Sequence, residues 1–473
     1  MYLFILGRQP EISLAELRAV FGNAEQVLPQ VALVATDVAP NIDYLGSVRK
    51  VGQVIYDADG NPGEFLLKKF QELPEGKITL GISHYGKTAS TANARKTGVF
   101  FKKNLKRSVR ILPNTEAEIS DAATLGNRLG TSSNKIELLM AYVGHRLIIA
   151  ELTGVQNLNA YTLRDRGRPK RDARVGMLPP KLAQTMINLA IGNHTIDNEV
   201  FAKLFSKDST PSDGKTYIPD DANRFVLQDG SAGRPANDNS TQREFRKTGF
   251  SKPSAAELSL GDVLATEGSL EKTVSQEPVK TRLGSPIKSA NDKPTKTLLD
   301  PFCGTGVILQ EAALMNFKVY GTDLEPRMID FSQTNLDWLE KKFHREIPYL
   351  LKIGDVTSYQ WQQPIDFVAT ETYLGRPYSA IPTIENLRDN IQNCELILTK
   401  FLRNLHKQIT KQTGLCVAVP CWFVGGRTYH LPLVKKLAEL GYEQISFSEK
   451  NQPLIYHRED QIVGRELLIL KKK

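Results

Sequence analysis

A glycine-containing turn between a strand and a helix constrains the fold of residues 297–473 more than any other feature. The stretch TLLDPFCGTGVILQEAAL begins as an apolar strand, continues through Gly304 and Gly306, and ends in a helical pattern. Glycines here allow the backbone to approach a ligand closely at the start of the helix. Strand-like and helical segments then alternate, which predicts a doubly wound, mostly parallel α/β sheet with helices between its first five strands. The later strands are predicted at 318–323, 350–355, 366–370, 415–420 and 466–470.

Three acids, Asp300, Asp323 and Asp355, end successive strands of this pattern. Asp323 lies about twenty residues beyond the turn, where an acid commonly binds ribose hydroxyls. Asp300 directly precedes the turn, where a carboxylate would repel a pyrophosphate but can hold an ammonium group. The third glycine of the dinucleotide fingerprint is replaced by Leu309. The pattern therefore favours S-adenosylmethionine as cofactor, with a dinucleotide-dependent dehydrogenase as a more distant alternative.

Two smaller α+β patterns precede this region. Residues 1–75 alternate short strands with helices, and a Ser13-x-x-Glu16 capping box is predicted to start the first helix. Residues 76–165 contain further strands, two of which form a predicted hairpin around Gly144.

A basic run lies between the strands of the second pattern. Residues 84–110 contain eight lysines and arginines and no acid. This run predicts a surface that binds phosphates, and a solvated helix face is the alternative. The residues predicted to bind RNA here are Arg95, Lys96, Lys102, Lys103, Lys106 and Arg107.

Residues 166–205 are predicted to be a basic linker followed by a helix that Pro179 and Pro180 open. Residues 206–296 are rich in small and polar residues and contain only four aromatics. That composition predicts a low-complexity, mostly disordered insertion, because too little apolar surface is present to offset the entropy of ordering. The basic residues predicted to bind RNA near the linker are Arg164, Arg166, Arg168 and Lys170.

Composition restricts the broad class of the protein. The net charge of +9 and pI of about 9.1 are a modest basic excess for 473 residues. The four cysteines form no C-x-x-C pair, so we expect neither a disulfide framework nor a metal site. No apolar run is long enough for a membrane span or a signal peptide, and we expect a cytoplasmic protein with no membrane partner.

Several of these motifs resemble the THUMP-domain tRNA guanine-N2-methyltransferases. The specific matches are RDRGRPKRDARVGMLPPKLAQTMINLA, DPFCGTG and YHREDQIVGREL, and the resemblance covers most of the chain. It implies a ferredoxin-like domain at 1–75, a THUMP-like RNA-binding domain at 76–165 and a Rossmann-like methyltransferase domain at 297–473. It also implies S-adenosylmethionine as cofactor and, as substrate, the N2 amine of a tRNA guanosine, typically at position ten. The cofactor-binding residues it implies are Asp300, Phe302, Gly304, Gly306, Asp323, Asp355, Leu178 and Pro179.

The fourth motif of this family, Asp-Pro-Pro-Tyr-Gly, is altered here. The corresponding residues run from Glu371 to Gly375, so that Glu371 replaces the acid and both prolines are absent. A shift of one residue would instead place Thr370 at the acid position and Tyr373 at the tyrosine. We predict that Glu371 accepts a hydrogen bond from the target amine and that Tyr373 or Tyr378 stacks on the base. The alternatives are a non-catalytic tRNA-binding relative and a methyltransferase for another RNA base, and the need for an activating partner subunit stays open.

Overall fold

The computed structural model describes residues 1–172, 177–192, 296–362, 364–378, 380–448 and 452–473. These residues all belong to one compact unit. Arg174 and, apart from Lys296, the predicted insertion at 206–296 lie outside the described residues.

Two β-sheets and nine helices make up the described part of the chain. The strands are β1 (Tyr2–Leu6), β2 (Ala24–Leu28), β3 (Val31–Val34), β4 (Val48–Asp59), β5 (Ile78–Tyr85), β6 (Val109–Ile111), β7 (Lys135–Val143), β8 (Arg146–Val155), β9 (Thr297–Asp300), β10 (Lys318–Asp323), β11 (Tyr349–Ile353), β12 (Phe367–Glu371), β13 (Gly414–Val424), β14 (Arg427–Tyr429), β15 (Tyr442–Gln444), β16 (Leu454–Tyr456) and β17 (Val463–Lys472). The helices are α1 (Pro10–Phe21), α2 (Gly63–Gln71), α3 (Thr91–Asn104), α4 (Asp121–Gly126), α5 (Leu158–Arg166), α6 (Pro180–Gly192), α7 (Val307–Leu314), α8 (Pro326–Phe343) and α9 (Ile384–His406).

The first sheet contains eight strands in the order β2-β3-β1-β4-β8-β7-β5-β6. The predicted hairpin is confirmed, since β7 and β8 pair antiparallel around Gly144, whose φ of 64° suits glycine. The long strands β4 and β8 pair antiparallel as well. The sheet therefore runs without a break across residue 75, where the sequence predicted a domain boundary.

Helix α1 begins earlier than predicted, and the predicted capping box is wrong. Gln9 is the N-cap residue and makes no side-chain cap, and Pro10 opens the helix. Ser13 Oγ instead donates to the Ser47 carbonyl over 2.8 Å. The buried Glu16 carboxylate accepts from the backbone N–H of Gly46 over 2.9 Å and from that of Ser47 over 2.8 Å. Both side chains thus tie α1 to the segment before β4.

The second sheet has the order β11-β10-β9-β12-β13-β17-β15, with β14 paired to β13 and β16 to β17. The first five strands of this order are parallel, and β17 runs antiparallel to β13. This is a Rossmann-like sheet whose strand order reverses between β9 and β12, as expected from the sequence. One predicted detail is wrong, because the described residues between β11 and β12 contain no helix.

Helices cover both faces of this sheet. Residues of α6, α7 and α8 pack in one apolar cluster with one face, whereas α9 packs in a second cluster with the other. Helix α6 also packs against α1, so it joins the N-terminal part to the second sheet. Every helix in the described residues is too short or too polar to cross a membrane.

Candidate active site

A cavity of about 740 Å³ opens at the carboxyl ends of β9 to β12. In open α/β sheets, ligands bind at this edge, beside the point where the strand order reverses. The predicted residues that line the cavity are Leu178, Asp300, Phe302, Gly304, Asp323, Asp355, Glu371 and Tyr373. Gly306 and Pro179 are the two predicted cofactor-binding residues outside its lining, and Tyr378, one of the two candidate stacking residues, lies outside it as well.

Asp300 is a buried carboxylate at the base of the cavity, with 2% of its surface exposed. Thr370 Oγ1 donates to Asp300 Oδ1 over 2.7 Å, and the N–H of Phe302 donates to the same oxygen over 3.3 Å. Burial raises the pKa of Asp300 to about 8, although both hydrogen bonds lower it. Since no cationic side chain of the described residues offsets this burial, Asp300 is suited to a ligand that carries a positive charge.

The turn after β9 is shaped by its two glycines and by Asp323. The Gly304 N–H donates to Asp323 Oδ2 over 2.9 Å, which fixes the turn against the end of β10. Gly304 has a φ of 51°, and a Cβ placed there would meet no protein atom within 4 Å, so its open side faces the cavity. Gly306 has a φ of 79°, and a Cβ there would lie 2.8 Å from Ser332 Oγ. Gly304 thus leaves room for a ligand, whereas Gly306 allows α8 to pack closely.

Asp323 and Asp355 present two further acids from the next two strands. Asp323 Oδ1 accepts from the Glu325 N–H over 3.0 Å, and burial raises the pKa of the Asp323 carboxyl. Asp355 Oδ1 accepts from the Thr357 N–H over 2.8 Å. The ring of Phe302 packs edge-on against Phe401 of α9, with centroids 5.1 Å apart. The acids are therefore oriented by backbone N–H groups, and Phe302 by an aromatic neighbour.

Glu371, the last residue of β12, forms an ion pair with Arg465 of β17. Arg465 Nε donates to Glu371 Oε1, and both side chains are largely shielded from water. Burial raises the pKa of Glu371, and Arg465 opposes that rise. Thr370, the alternative residue at the acid position, lies outside the lining of the cavity and bonds to Asp300. Of the two candidate positions, Glu371 is the one that lines the cavity.

The loop after β12 is clamped by Asn390 of α9. Asn390 Oδ1 accepts from the Arg376 N–H over 2.9 Å, and Asn390 Nδ2 donates to the Arg376 carbonyl over 3.1 Å. The same Nδ2 donates to Tyr378 Oη over 2.9 Å. Gly375 has a φ of 87° and packs directly against the Asn390 amide. Tyr378 is thus engaged by α9, whereas Tyr373, which is 41% exposed, faces the cavity.

The linker before α6 contributes to the cavity and to its support. Leu178 lines the cavity, and Pro179 precedes the first turn of α6. The Lys170 N–H donates to Asn335 Oδ1 over 2.9 Å. Asn335 Nδ2 in turn donates to the Lys170 carbonyl over 2.9 Å and to the Thr305 carbonyl over 2.8 Å. The linker is thereby joined to the glycine turn itself.

Two arginines of the linker region are placed differently from what its composition suggested. Arg164 is buried and its Nε lies 2.7 Å from Glu311 Oε1 of α7. Arg168 is 3% exposed, so neither guanidinium is at the surface where a phosphate backbone could reach it. We therefore correct the expectation of RNA contact for these two residues. The sequence showed that this segment is basic, but it did not show that the segment is buried beside α7. Arg166 is exposed and Lys170 is half-buried, so the prediction of RNA contact is kept for both.

The basic run coincides largely with α3. Its buried side consists of Ala94, Gly98 and Phe101, so the lysines and arginines point to solvent. Arg107 differs, because its guanidinium donates to backbone carbonyls that follow α2, including that of Gly76 over 2.7 Å. Arg107 is therefore engaged in holding α2, which the sequence did not reveal. Of the residues predicted to bind RNA here, Arg95, Lys96, Lys102, Lys103 and Lys106 are exposed, so the prediction of RNA contact is kept for them.

The sequence analysis missed several residues of the cavity wall. Leu396 and Lys400 of α9 line the cavity, and Asn390 of the same helix supports the loop beside it. No motif marks these positions, because α9 follows the loop after β12 in the sequence and its contact with that loop is tertiary. The only available signal was the apolar periodicity of α9, which orients the helix but assigns no role to its polar residues.

Comparison with known proteins gives a class for the C-terminal part. Residues 292–458, about a third of the chain, match a family described as "Methyltransferase domain". The Rossmann-like sheet, the cavity at its strand ends and this match together define a methyltransferase domain.

Curated relatives and solved structures add more specific names. The chain is 35% identical over 100 residues to a tRNA (guanine(10)-N2)-dimethyltransferase of Pyrococcus abyssi, a match that covers 20% of this chain and 28% of the relative. It is 29% identical over 124 residues to the protein of the same name from Methanothermobacter thermautotrophicus, covering 26% and 32% respectively. The chain thus spans about a third or less of the length of these two relatives.

Among solved structures, TrmN from Thermus thermophilus is similar over 100% of this chain and 99% of that chain, with 13% identity and a TM-score of 0.43.

Proposed function

We propose that the protein is an S-adenosylmethionine-dependent methyltransferase that acts on the exocyclic N2 of a guanosine in tRNA. The observation that carries the proposal is the acid-lined cavity, in which Asp300, Asp323 and Glu371 end β9, β10 and β12 and Asp355 lies just after β11. The names of the curated relatives support the choice of tRNA guanosine as substrate. The resemblance of the sequence motifs supports position ten as the target.

The residues of the cavity fit S-adenosylmethionine. Its ammonium and sulfonium groups are cationic, and among the residues that the structure describes the buried carboxylate of Asp300 has no cationic side chain as partner. Gly304 leaves its Cβ side open, so the backbone can lie against the methionine portion. Asp323 and Asp355 offer carboxylate oxygens from the next two strands, as hydroxyl and amine groups of an adenosine require. A dinucleotide fits poorly, because its pyrophosphate would lie among these acids.

Each element then has a distinct task. Asp300 and the turn at Gly304 bind the methionine portion, Asp323 binds the ribose, and Asp355 lies near the adenine. Leu178 closes one side of the cavity with an apolar surface. When bound, S-adenosylmethionine supplies an electrophilic methyl group.

The chain's own residues prepare the acceptor. The lone pair of a guanine amine is delocalised into the ring, so a hydrogen-bond acceptor must hold the amine hydrogens and direct the lone pair outward. Glu371 offers a carboxylate at the cavity, and Tyr373 offers an exposed ring on which the base can stack. After transfer, the nitrogen loses one proton, which Glu371 accepts and passes to solvent. Proton transfer by a positioned carboxylate typically contributes about 10² to 10⁴ in rate.

The exposed face of α3 supports tRNA as the substrate. Five basic residues project from this face and its C-terminal end, and the buried face packs on the first sheet. Such a surface binds the phosphate backbone with little sequence preference. The guanosine must also leave its base stack to reach a cavity of this kind. In this proposal residues 1–165, including a THUMP-like part at 76–165, position the tRNA.

A second function is favoured by one observation. Glu371 is already paired with Arg465, and the prolines of the family motif are absent. A site that binds cofactor and tRNA without turnover would have the same appearance. This alternative predicts binding of both ligands and no product.

The test is methyl transfer to unmodified tRNA. Purified protein is incubated with bulk unmodified tRNA and methyl-labelled S-adenosylmethionine, and the digested nucleosides are identified by mass spectrometry. The proposal predicts label in N2-methylguanosine or N2,N2-dimethylguanosine. Label in a different nucleoside would replace the substrate, and binding of both ligands without any labelled nucleoside would support the non-catalytic alternative.

A further inference from the structure

The ion pair between Glu371 of β12 and Arg465 of β17 crosses over β13, the strand that lies between them in the sheet. Glu371 of β12 pairs in register with Ala418 of β13, and Ala418 pairs with Leu467 of β17. Arg465 lies two residues from Leu467, so its side chain projects from the same face of the sheet. The small side chain of Ala418 leaves room above β13 for the two long side chains to meet. The pairing is thus built into the sheet by register.

Only one oxygen of the Glu371 carboxylate is used by this pair. Arg465 Nε donates to Oε1, and within the described residues Oε2 has no hydrogen-bond partner. Glu371 lines the cavity, whereas Arg465 is outside its lining. The side chains are 13% and 8% exposed respectively, so the pair is protected from competing water. Arg465 therefore holds the carboxylate through Oε1 and leaves Oε2 available to a ligand of the cavity that Glu371 lines.

We propose that Arg465 is a positioning residue that orients the Glu371 carboxylate, so that Oε2 is presented to the target amine. This inference rests on the proposed function and adds a residue to its site. It also explains why glutamate stands where the family has aspartate. An aspartate arm is shorter by about 1.5 Å, one carbon–carbon bond, and would not span β13 to Arg465 from the same backbone position.

Arg465 also favours the ionised form of the carboxylate. Burial raises the pKa of Glu371, and Arg465 is the cation that opposes this rise. Helix α6 packs on the same face, but its one titratable side chain, Lys181, donates to Gln156. Within the described residues, the other titratable or charged groups that line the cavity are Asp172, Asp300, Cys303, Asp323, Glu325, Asp355, Tyr373, Arg376 and Lys400, and Cys416 lies on this face of the sheet.

The experiment compares Arg465→Gln, Arg465→Lys and Glu371→Asp with wild type. Arg458→Gln is the matched control, because Arg458 lies in the same C-terminal tail and is exposed. The first readout is the pKa of the Glu371 carboxyl, measured by NMR titration of glutamate labelled at its carboxyl carbon and assigned with Glu371→Gln. We expect a higher pKa in Arg465→Gln, partial return toward wild type in Arg465→Lys, and no change in Arg458→Gln. This readout does not depend on turnover.

The second readout is the single-turnover rate of methyl transfer as a function of pH. We expect Arg465→Gln to be at least about tenfold slower at pH 7, with its acid limb at higher pH and its affinity for S-adenosylhomocysteine unchanged. Glu371→Asp should resemble Arg465→Gln, because it loses the same contact. Arg465→Lys keeps the charge and covers the case in which Arg465→Gln fails to fold.

The outcomes separate this inference from the proposed function. If wild type methylates tRNA while Arg465→Gln keeps both the wild-type pKa of Glu371 and the wild-type rate, the positioning role is overturned and the proposed function stands. If wild type transfers no methyl group, the proposed function fails, and the NMR titration still decides whether Arg465 controls the Glu371 carboxyl.

Discussion

The buried carboxyl of Asp300 should make cofactor binding release protons. Its pKa is raised to about 8, chiefly by burial, so about nine tenths of the unliganded protein carries a proton on Asp300 at pH 7. A cation bound within about 4–6 Å lowers the pKa of a carboxyl by about 1 to 3 units. The ammonium of S-adenosylhomocysteine, placed against Asp300, should therefore ionise it.

The size of this effect follows from the two pKa values. A shift of about 2 units would bring the pKa near 6, and binding at pH 7 would release about 0.8 proton per ligand. The release should fall toward zero at pH 5, where Asp300 stays protonated in both states. It should also fall toward zero at pH 9, where Asp300 is ionised in both states.

Isothermal calorimetry in buffers of different ionisation enthalpy measures this release directly. The control is Asp300→Asn, in which the amide oxygen can still accept from Thr370 but no proton is exchanged. A release near zero at pH 7 in wild type, or the same release in Asp300→Asn, would refute the reasoning.

The same carboxyl gives a second observable in the unliganded protein. The pKa of Asp300 is higher in the folded protein than the unfolded value of 3.8, so folding favours the protonated carboxyl. The contribution of Asp300 to the free energy of unfolding is therefore fully present below pH 3.8 and is lost as the pH rises through about 8. Asp300→Asn should therefore be more stable than wild type at pH 9, by at most about 6 kcal/mol.

Three further predictions concern the supporting structure. Arg164→Gln leaves Glu311 buried without its partner, and should lower the free energy of unfolding by about 3–5 kcal/mol in denaturant titrations; a loss below about 1 kcal/mol would show that the pair is dispensable. Asn390→Ala removes the amide that holds the loop after β12, and should slow methyl transfer at least about tenfold with S-adenosylhomocysteine affinity retained; equal loss of affinity would show a wider disruption. Substitution of Lys102, Lys103 and Lys106 by glutamate should weaken tRNA binding and flatten the salt dependence of the binding constant, by up to about 0.9 in slope per lost phosphate contact. The same substitution of Lys318, Lys341 and Lys435, as a control, should leave both unchanged. An unchanged slope in the first variant would show that the basic run is only a solvated helix face.

The sequence predicted the parts of the site that are local in the chain. Asp300, Gly304 and Asp323 lie at strand ends and in a turn, where residue type and spacing carry the geometry. The parallel sheet and the helix after Pro179 could be predicted for the same reason, since each depends on a short periodic pattern. Such features need no knowledge of distant neighbours.

The rest depends on contacts between distant segments. Glu371 and Arg465 are 94 residues apart, and only the register of three strands shows that they meet. Arginine usually lies at the surface, and the sequence placed Arg168 and Arg107 there. Arg168 is buried, however, and Arg107 donates hydrogen bonds to backbone carbonyls that follow α2. Ser13 and Glu16 match a capping box, yet tertiary hydrogen bonds to the segment at Ser47 determine their conformation. In each case a long-range partner outweighs the local pattern.

The central claim is that the reacting atom is the exocyclic N2 of a tRNA guanosine. Inosine differs from guanosine only by the absence of this amine. Two transcripts of one tRNA, with guanosine or inosine at position ten, therefore test whether methyl transfer depends on the N2 amine. Filter binding first establishes that both transcripts bind equally, and labelled methyl incorporation is then measured with each. The account predicts incorporation into the guanosine transcript and none into the inosine transcript. Equal incorporation into both would contradict it.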